Sequence, residues 1–311
     1  MGFLRELRDG AGCGRARIRA SHLAGGGEGQ GRQDSGTCVI DIHALALELK
    51  AAYEQRRTLS TPPSHDGLDL SAAYAVEREL VRMQRAAGHA TAGVKVGYAN
   101  KAMWRALKLE TLVWAHMYDH TVRYADANMA TLSLAHMISP KIEPEIVFKM
   151  KAPLKAGITE AAAALEAVEW LALGFEIIDC PYAHWKYQPA DFVAAGGLHA
   201  ALIVGEPRPL TAASIATLVE QLSNFKVRLS KDGQMVAEGS GRNSLRSAAL
   251  SLAELASAMA KQDGTDGNAP LAAGHLVSSG TLTESTPIQP GATWTASVEG
   301  IDLPALTLTL V

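Results

Sequence analysis

The sequence predicts an α+β fold, because its helical and strand-like patterns are segregated along the chain. Apolar residues recur at helical spacing in much of the chain before residue 110, whereas the last forty residues alternate as strands. The sequence does not show the regular succession of strands and helices that would indicate a parallel α/β sheet. With 311 residues, 48% of them hydrophobic, the chain can bury a large core.

The first 36 residues are expected to lie outside the fold, as a disordered or non-native extension. They contain ten glycines and scattered arginines, and no apolar period that could offset the entropy of ordering. A secretory signal would need a continuous apolar core, which this segment does not have.

Three helices are predicted in the part that follows. Asp41 can cap a helix that runs to about Gln55. Ser71 can cap a second helix, which ends at Gly88, and the pattern of residues 101–107 indicates a short third helix.

The second half of the chain combines two further helices with short strands. The helices are predicted over residues 160–171 and 247–261. The strands are short runs of alternating residues, and they are predicted over 225–229, 234–237, 293–298 and 303–311. Asp232-Gly233 separates the first two strands and is typical of a tight hairpin turn.

Charge and cysteine content exclude several classes of partner. The formal net charge is -3, with 29 Lys and Arg against 32 Asp and Glu, so we expect no nucleic acid and no membrane partner. No stretch of the sequence reaches the apolar length of a membrane span. Three scattered cysteines do not make a disulfide framework or a zinc site, and they favour a reducing, cytoplasmic location.

Three glutamates in two strand-like runs indicate a metal site. Glu143 and Glu145 lie in the run 141–148, and Glu176 lies in the run 174–178. Because side chains alternate along a strand, Glu143 and Glu145 point to one face about 6.6 Å apart. Carboxylates placed together repel each other unless a cation lies between them, and oxygen ligands suit Mg²⁺ or Mn²⁺. The spacing alone leaves a solvated strand face as the alternative.

From residue 38 onward, short collinear motifs connect the chain to an enzyme family. They are Gly93-Val94-Lys95-Val96-Gly97, Asn100-Lys101-Ala102-Met103, His116-Met117-Tyr118-Asp119, Ile142-Glu143-Pro144-Glu145-Ile146, Phe175-Glu176-Ile177, Asp191-Phe192-Val193-Ala194 and Gly280-Thr281-Leu282. On these motifs the chain resembles the hydratase and decarboxylase branch of the fumarylacetoacetate hydrolase family. The resemblance implies a mixed β-roll of curled sheets flanked by helices, with a helical part over 37–110 and a catalytic domain over 111–311.

The resemblance also implies roles for individual residues. The candidate ligands for Mg²⁺ or Mn²⁺ are Glu143, Glu145 and Glu176. The candidate groups for proton transfer and water placement are Lys95, Asp119 and His120. The candidate substrate contacts are Arg242, Ser279, Gly280 and Thr281. A lone strand lysine often faces solvent, and the Asp-His pair could equally initiate a turn.

One departure from the family pattern lies near the expected site. Ala194-Ala195-Gly196 stands where many hydratases have Ala-Asp-Asn, and His199 could restore a proton carrier. The departure concerns the substrate side of the site, because all three glutamates are retained.

The function implied by the resemblance is a divalent-metal lyase acting on a small 2-keto acid or its dienol, in aromatic compound catabolism. Hydration of 2-hydroxypenta-2,4-dienoate, the dienol of 2-keto-4-pentenoate, is the first expectation. A decarboxylase of the 4-oxalocrotonate type would use the same site. The alternative from a different class is a non-catalytic homologue that supports an active partner subunit. We expect a homo-oligomer, or a complex with a related family member.

Overall fold

The computed structural model describes residues 40–262 and 271–311. The extension predicted over residues 1–36 lies outside the described residues. The described residues form one compact unit, within which the division at residue 110 stays a prediction. No helix of the described ranges is long and apolar enough to span a bilayer.

Seven α-helices occur in the described residues. They are α1 (Ile42–Glu54), α2 (Leu70–Ala86), α3 (Lys101–Leu107), α4 (Ala161–Glu166), α5 (Pro189–Ala194), α6 (Ala212–Asn224) and α7 (Ala248–Gln262). The predicted start of the first helix is confirmed, because the Asp41 side chain accepts a hydrogen bond from the amide of Ala44. The prediction that Ser71 caps the second helix is wrong, since Asp69 caps it by accepting from the amide of Ala72.

Within the described residues, nine strands form the larger sheet. They are β1 (Thr91–Gly97), β2 (Val113–Tyr118), β3 (Val122–Tyr124), β5 (Pro140–Met150), β6 (Val168–Asp179), β7 (His199–Val204), β8 (Arg208–Pro209), β11 (Leu276–Ser278) and β12 (Thr286–Pro287). Their order is β2-β1-β11-β5-β6-β7-β3, with β12 beside β5 and β8 beside β6. The sheet is mixed, because β1 pairs with β11 in parallel while β5 and β6 are antiparallel.

A smaller sheet holds the other five strands of the described part of the chain, in the order β10-β9-β13-β14-β4. Their bounds are β4 (Met129–Leu132), β9 (Lys226–Lys231), β10 (Gln234–Ser240), β13 (Thr293–Glu299) and β14 (Leu306–Leu310). The predicted hairpin is confirmed: Asp232 and Gly233 join β9 to β10 with φ of 49° and 79°. Positive φ at both central residues is what a type I′ turn requires.

The helix predicted over residues 160–171 is wrong in its second half. Helix α4 ends at Glu166, and β6 begins at Val168. Alanine, leucine and glutamate favour a helix locally, but Leu171 is fully buried in the sheet and pairs with Phe148 of β5. Burial and strand pairing therefore override local propensity here.

The alternation predicted for β5 is confirmed. Ile142, Ile146 and Phe148 are fully buried in the main hydrophobic core. Val147, one position out of phase with them, packs in a second apolar cluster on the other side of the sheet. Glu143 and Glu145 share the side of Val147, so this second side of the sheet carries the carboxylates.

Candidate metal centre

Three carboxylates meet at the centre of the larger sheet. Glu143 of β5 lies directly opposite Glu176 of β6 in the strand register, and Glu145 lies opposite Gly174. One oxygen from each glutamate lies within 4.8 Å of the other two. Glu145 and Glu176 are completely buried and Glu143 is partly buried. The structure therefore brings together the three glutamates that the sequence indicates.

Only one of the two carboxylate oxygens of Glu145 accepts hydrogen bonds from the described residues. Its Oε2 accepts hydrogen bonds from Ser278 Oγ (2.6 Å) and from the amide of Gly280 (2.8 Å). Its Oε1 is buried and accepts no hydrogen bond from any described residue. A buried carboxylate oxygen is costly to leave without a partner, so the free oxygen points to a cation that is bound when the site is loaded.

Glu176 is flanked by two nitrogen-bearing side chains. Lys95 Nζ lies 3.0 Å from Oε2, and His199 Nδ1 lies 2.9 Å from Oε1. The other ring nitrogen of His199 lies 2.9 Å from the hydroxyl of Thr121. These contacts fix the orientation of both the carboxylate and the imidazole.

Lys95 comes from β1 and is 2% exposed. Besides its ion pair with Glu176, its ammonium donates to the carbonyl of Gly197 (3.0 Å) and lies 4.9 Å from the centre of the Phe192 ring. The backbone of Gly197 approaches the lysine so closely that a Cβ there would lie 2.7 Å from Lys95 Cδ and 2.8 Å from Ala115 Cβ. Only glycine leaves room for the buried lysine at this point.

The electrostatics of the cluster favour a cation. Burial raises the pKa of Glu143 to about 7. Burial also raises the pKa of Glu145 well above its usual range, and Glu176 and Glu143 reinforce that increase. Burial acts on Glu176 in the same direction, but Lys95 and His199 outweigh it and lower the pKa of this carboxyl. Lys95 and, to a smaller extent, Lys141 compensate only part of the charge of three carboxylates, so a divalent ion would find a net negative site here.

A cavity of about 660 Å³ opens from this cluster toward solvent. Lys95 and Glu143 lie among its lining residues, with Tyr98, Tyr187 and Phe192 as aromatic walls. The volume suits a small organic ligand. Apolar walls beside a few converging polar groups are typical of a substrate pocket.

The predicted substrate contacts divide into two groups. Arg242, Gly280 and Thr281 line the cavity. Ser279 does not line it: the residue is fully buried, and its carbonyl accepts hydrogen bonds from the hydroxyls of Ser244 and Ser251. Ser279 thus supports the backbone beside Gly280, which donates to Glu145.

Asp119 and His120 lie outside the residues that line the cavity. They form a turn after β2, where Asp119 accepts a hydrogen bond from the amide of Ala90. Thr121, at the end of this turn, contacts His199, which in turn contacts Glu176. The structure therefore brings Lys95 to the carboxylates and places the other two predicted catalytic groups apart from them.

The contacts that orient the glutamates are not evident from the sequence. His199 is a candidate proton carrier by its position in the sequence, but its contact with Glu176 depends on the pairing of β6 with β7. The contact of Ser278 with Glu145 likewise depends on β11 lying beside β5. Predicting these contacts from the sequence would require knowing which distant strands pair, and no local motif encodes that pairing.

A mixed curled sheet with helices, and a buried carboxylate cluster at the base of a cavity, define a class of metal-binding enzyme. The chain belongs to the fumarylacetoacetate (FAA) hydrolase C-terminal family, whose sequence profile matches residues 94–310. This match confirms the family that the motifs indicate.

Characterised relatives and a solved structure extend the match over most of the chain. A 2-hydroxyhexa-2,4-dienoate hydratase from Comamonas testosteroni is 27% identical over 265 residues, which cover 84% of this chain and 94% of that protein. A 4-oxalocrotonate decarboxylase from Pseudomonas sp. strain CF600 is 28% identical over 229 residues, 74% of this chain and 81% of that protein. The structure of 4-oxalocrotonate decarboxylase from Pseudomonas putida G7, complexed with magnesium and adipate, superposes with a TM-score of 0.76 at 24% identity, covering 87% of this chain and 97% of that chain. The structural likeness confirms the predicted fold class.

Proposed function

We propose that this chain is a divalent-metal-dependent lyase of small 2-keto acids, with hydration of a 2-hydroxy-2,4-dienoate as its main reaction. The observation that carries the proposal is the cluster of Glu143, Glu145 and Glu176 beside Lys95, next to a cavity that Lys95 and Glu143 line. Relatives named as hydratases and decarboxylases over most of the chain support the same class of reaction.

The donor set fits Mg²⁺ or Mn²⁺. All three candidate ligands are carboxylates, and Glu145 offers a buried oxygen without a hydrogen bond. When bound, such an ion supplies a Lewis acid that polarises the carboxylate and 2-oxo oxygens of a keto acid. The solved relative with magnesium supports this choice of ion.

The side chains around the glutamates bind and orient the substrate. The ammonium of Lys95, fixed by the Gly197 carbonyl and by Glu176, faces the cavity and attracts the substrate carboxylate. It is also the group best placed to donate a proton to the substrate carbon chain. Tyr187 and Phe192 cover the apolar part of the substrate and keep bulk water from it.

A decarboxylase is the second candidate, and the cavity rim favours it. Lys101, Arg242 and Arg246 lie on the rim, against one acidic side chain, Glu284, outside the glutamate cluster. A substrate with a second carboxylate could place that group among these cations, whereas a dienoate with an apolar tail gains nothing from them. Loss of carbon dioxide would require the same polarised keto acid at the base of the cavity.

A non-catalytic partner subunit is disfavoured by the glutamates. Three buried carboxylates without a metal are costly to keep ionised, and a chain released from catalysis would gain stability by replacing them. Their retention beside a buried lysine supports an active site.

The test is an ultraviolet assay of the purified chain with Mg²⁺ or Mn²⁺, on 2-hydroxypenta-2,4-dienoate and on 4-oxalocrotonate. Glu143→Gln and Glu176→Gln should abolish turnover and weaken Mn²⁺ binding measured by calorimetry, while thermal unfolding remains cooperative. Glu284→Gln, on the cavity rim, is the matched control and should bind Mn²⁺ normally. Unchanged Mn²⁺ affinity in both cluster variants would refute the assignment.

The rim cations separate the two candidate reactions. Arg246→Ala should raise the Michaelis constant for 4-oxalocrotonate by about 10-fold or more, since charge-assisted hydrogen bonds contribute about 1.5 to 3 kcal/mol. The constant for the monocarboxylate dienoate should stay the same. Equal effects on both substrates would exclude the rim as the site of a second carboxylate.

A further inference from the structure

A second group of metal-ligating side chains lies apart from the glutamates. His89 precedes β1, and Asp119 and His120 form the turn that follows β2. Because β1 and β2 are antiparallel, with Thr91 opposite Tyr118, the start of one strand and the end of the other meet at the same edge. The three side chains share no residue with the glutamate cluster or with the cavity lining.

The geometry of this group suits a small cation. One ligand atom from each residue lies within 4.8 Å of the other two. Asp119 Oδ1 lies 3.7 Å from His89 Nδ1 and 3.5 Å from His120 Nδ1. Two ligands of a tetrahedral ion with bonds of about 2.1 Å are about 3.4 Å apart, so these separations need little adjustment.

These separations are longer than the usual length of about 2.7–3.2 Å for an N–H···O hydrogen bond, and they are ion-pair distances when a ring is protonated. Within the described residues, no hydrogen bond is made by a ring nitrogen of His89 or His120. The two rings lie against each other at a tilt, with centroids 3.8 Å apart and planes inclined by 35°. Both imidazoles therefore have ring nitrogens available beside a single carboxylate oxygen.

The carboxylate is fixed before any ion arrives. Asp119 Oδ2 accepts a hydrogen bond from the amide of Ala90 (3.1 Å), and Oδ1 accepts one from the amide of His120 (2.8 Å). Two backbone donors thus hold the anion in place, and Oδ1 keeps a lone pair for a cation. A ligand that is oriented by its own hydrogen bonds binds a metal more tightly than a freely rotating one.

We propose that His89, Asp119 and His120 form a second metal site, selective for a first-row transition ion such as Zn²⁺. Two imidazole nitrogens and one carboxylate oxygen suit Zn²⁺, whereas Mg²⁺ prefers oxygen ligands alone. The three side chains are partly exposed, at 38%, 52% and 41% respectively, so water can complete the coordination. The glutamate cluster, with oxygen donors only, is selective for the harder ion.

The test is calorimetric titration of Zn²⁺ into the full-length chain, with any purification tag removed and Mg²⁺ in large excess to fill the glutamate cluster. The wild type should bind Zn²⁺ at this site, and His89→Ala or His120→Ala should weaken that binding at least about 10-fold, since even the loss of an outer contact costs about 10- to 100-fold. His136→Ala removes an exposed histidine elsewhere and is the matched control.

Cobalt substitution gives a second measurement that does not depend on activity. Co²⁺ bound by nitrogen ligands absorbs visible light, and this band should disappear in both histidine variants while remaining in Glu176→Gln. Thermal unfolding in a chelator should be the same for wild type and the three histidine variants, which shows that their fold is intact. Wild-type Zn²⁺ affinity in both His89→Ala and His120→Ala, or equal loss in His136→Ala, would overturn the proposal.

Discussion

Replacing Lys95 by methionine tests the electrostatic balance of the glutamate cluster. Methionine keeps the volume of the lysine stem and removes the ammonium. The change leaves three buried carboxylates without their nearest cation, because Lys95 Nζ lies 3.0 Å from Glu176 and donates to Gly197.

The magnitude follows from this distance. At an effective dielectric constant of about 20, two unit charges 3.0 Å apart attract each other by about 5.5 kcal/mol. Removing one partner of a buried ion pair typically costs about 3 to 5 kcal/mol. The glutamates can limit the loss by taking up a proton, since burial raises the pKa of Glu143 to about 7. We therefore expect the lower end, about 3 kcal/mol.

The assay is thermal unfolding of Lys95→Met, first in a chelator and then with Mn²⁺. In the chelator, a loss of about 3 kcal/mol should lower the melting temperature by about 6 to 12 °C. With Mn²⁺ the difference from wild type should shrink, because the ion neutralises the same carboxylates. Turnover should fall by about 100-fold or more, the usual contribution of a group that transfers protons.

Lys101→Met is the matched control. Lys101 lies on the rim of the same cavity but is exposed, so the free energy of unfolding should change by no more than about 0.5 kcal/mol. A Lys95→Met variant that is as stable as wild type in the chelator and turns over normally would refute the electrostatic argument.

Two further predictions concern the surroundings of the cluster. Gly197→Ala should displace the Lys95 stem and lower turnover by about 10-fold or more, whereas Gly196→Ala should not, because a Cβ at Gly196 meets no atom within 4 Å at nearly the same φ. Equal activity of the two variants in a kinetic assay would contradict this steric reason. Chelation should lower the melting temperature of the wild type by about 5 to 10 °C relative to protein in a 100-fold excess of Mn²⁺ over the dissociation constant, which corresponds to about 2.7 kcal/mol. The shift should be absent in Glu176→Gln, and its absence in the wild type would argue against a metal at the cluster.

Much of the fold is predictable because local signals agree with tertiary structure. Asp41 caps α1 as expected, and Asp232-Gly233 turns the β9–β10 hairpin. The prediction fails where two signals compete, as at residues 167–171. That segment has a helical composition, but Leu171 pairs with Phe148 of β5 and is therefore part of the sheet. Propensity alone could not show that a partner strand would be present.

The candidate site is predictable to a similar extent. The alternation along β5 places Glu143 and Glu145 on one face, and the family motifs add Glu176 and Lys95 to them. The contacts that orient these groups depend on the pairing of distant strands, as with His199 beside Glu176. The turn at Asp119 is adjacent to β2 in sequence, yet the backbone directs it toward His89 instead of the cavity.

Because of strand β11, the larger sheet of this protein can be completed only after a late segment of the chain has been synthesised. The strand contains only Leu276–Ser278, but it pairs with β1 on one side and with β5 on the other. During synthesis, the facing edges of β1 and β5 remain unpaired until these residues leave the ribosome, and such long-range closure is slow and prone to association. Ser278 and Gly280 reach Glu145 in the same step. A nascent chain therefore completes its larger sheet and fixes the Glu145 carboxylate in the same step, so a defect in residues 276–280 would affect folding as well as activity.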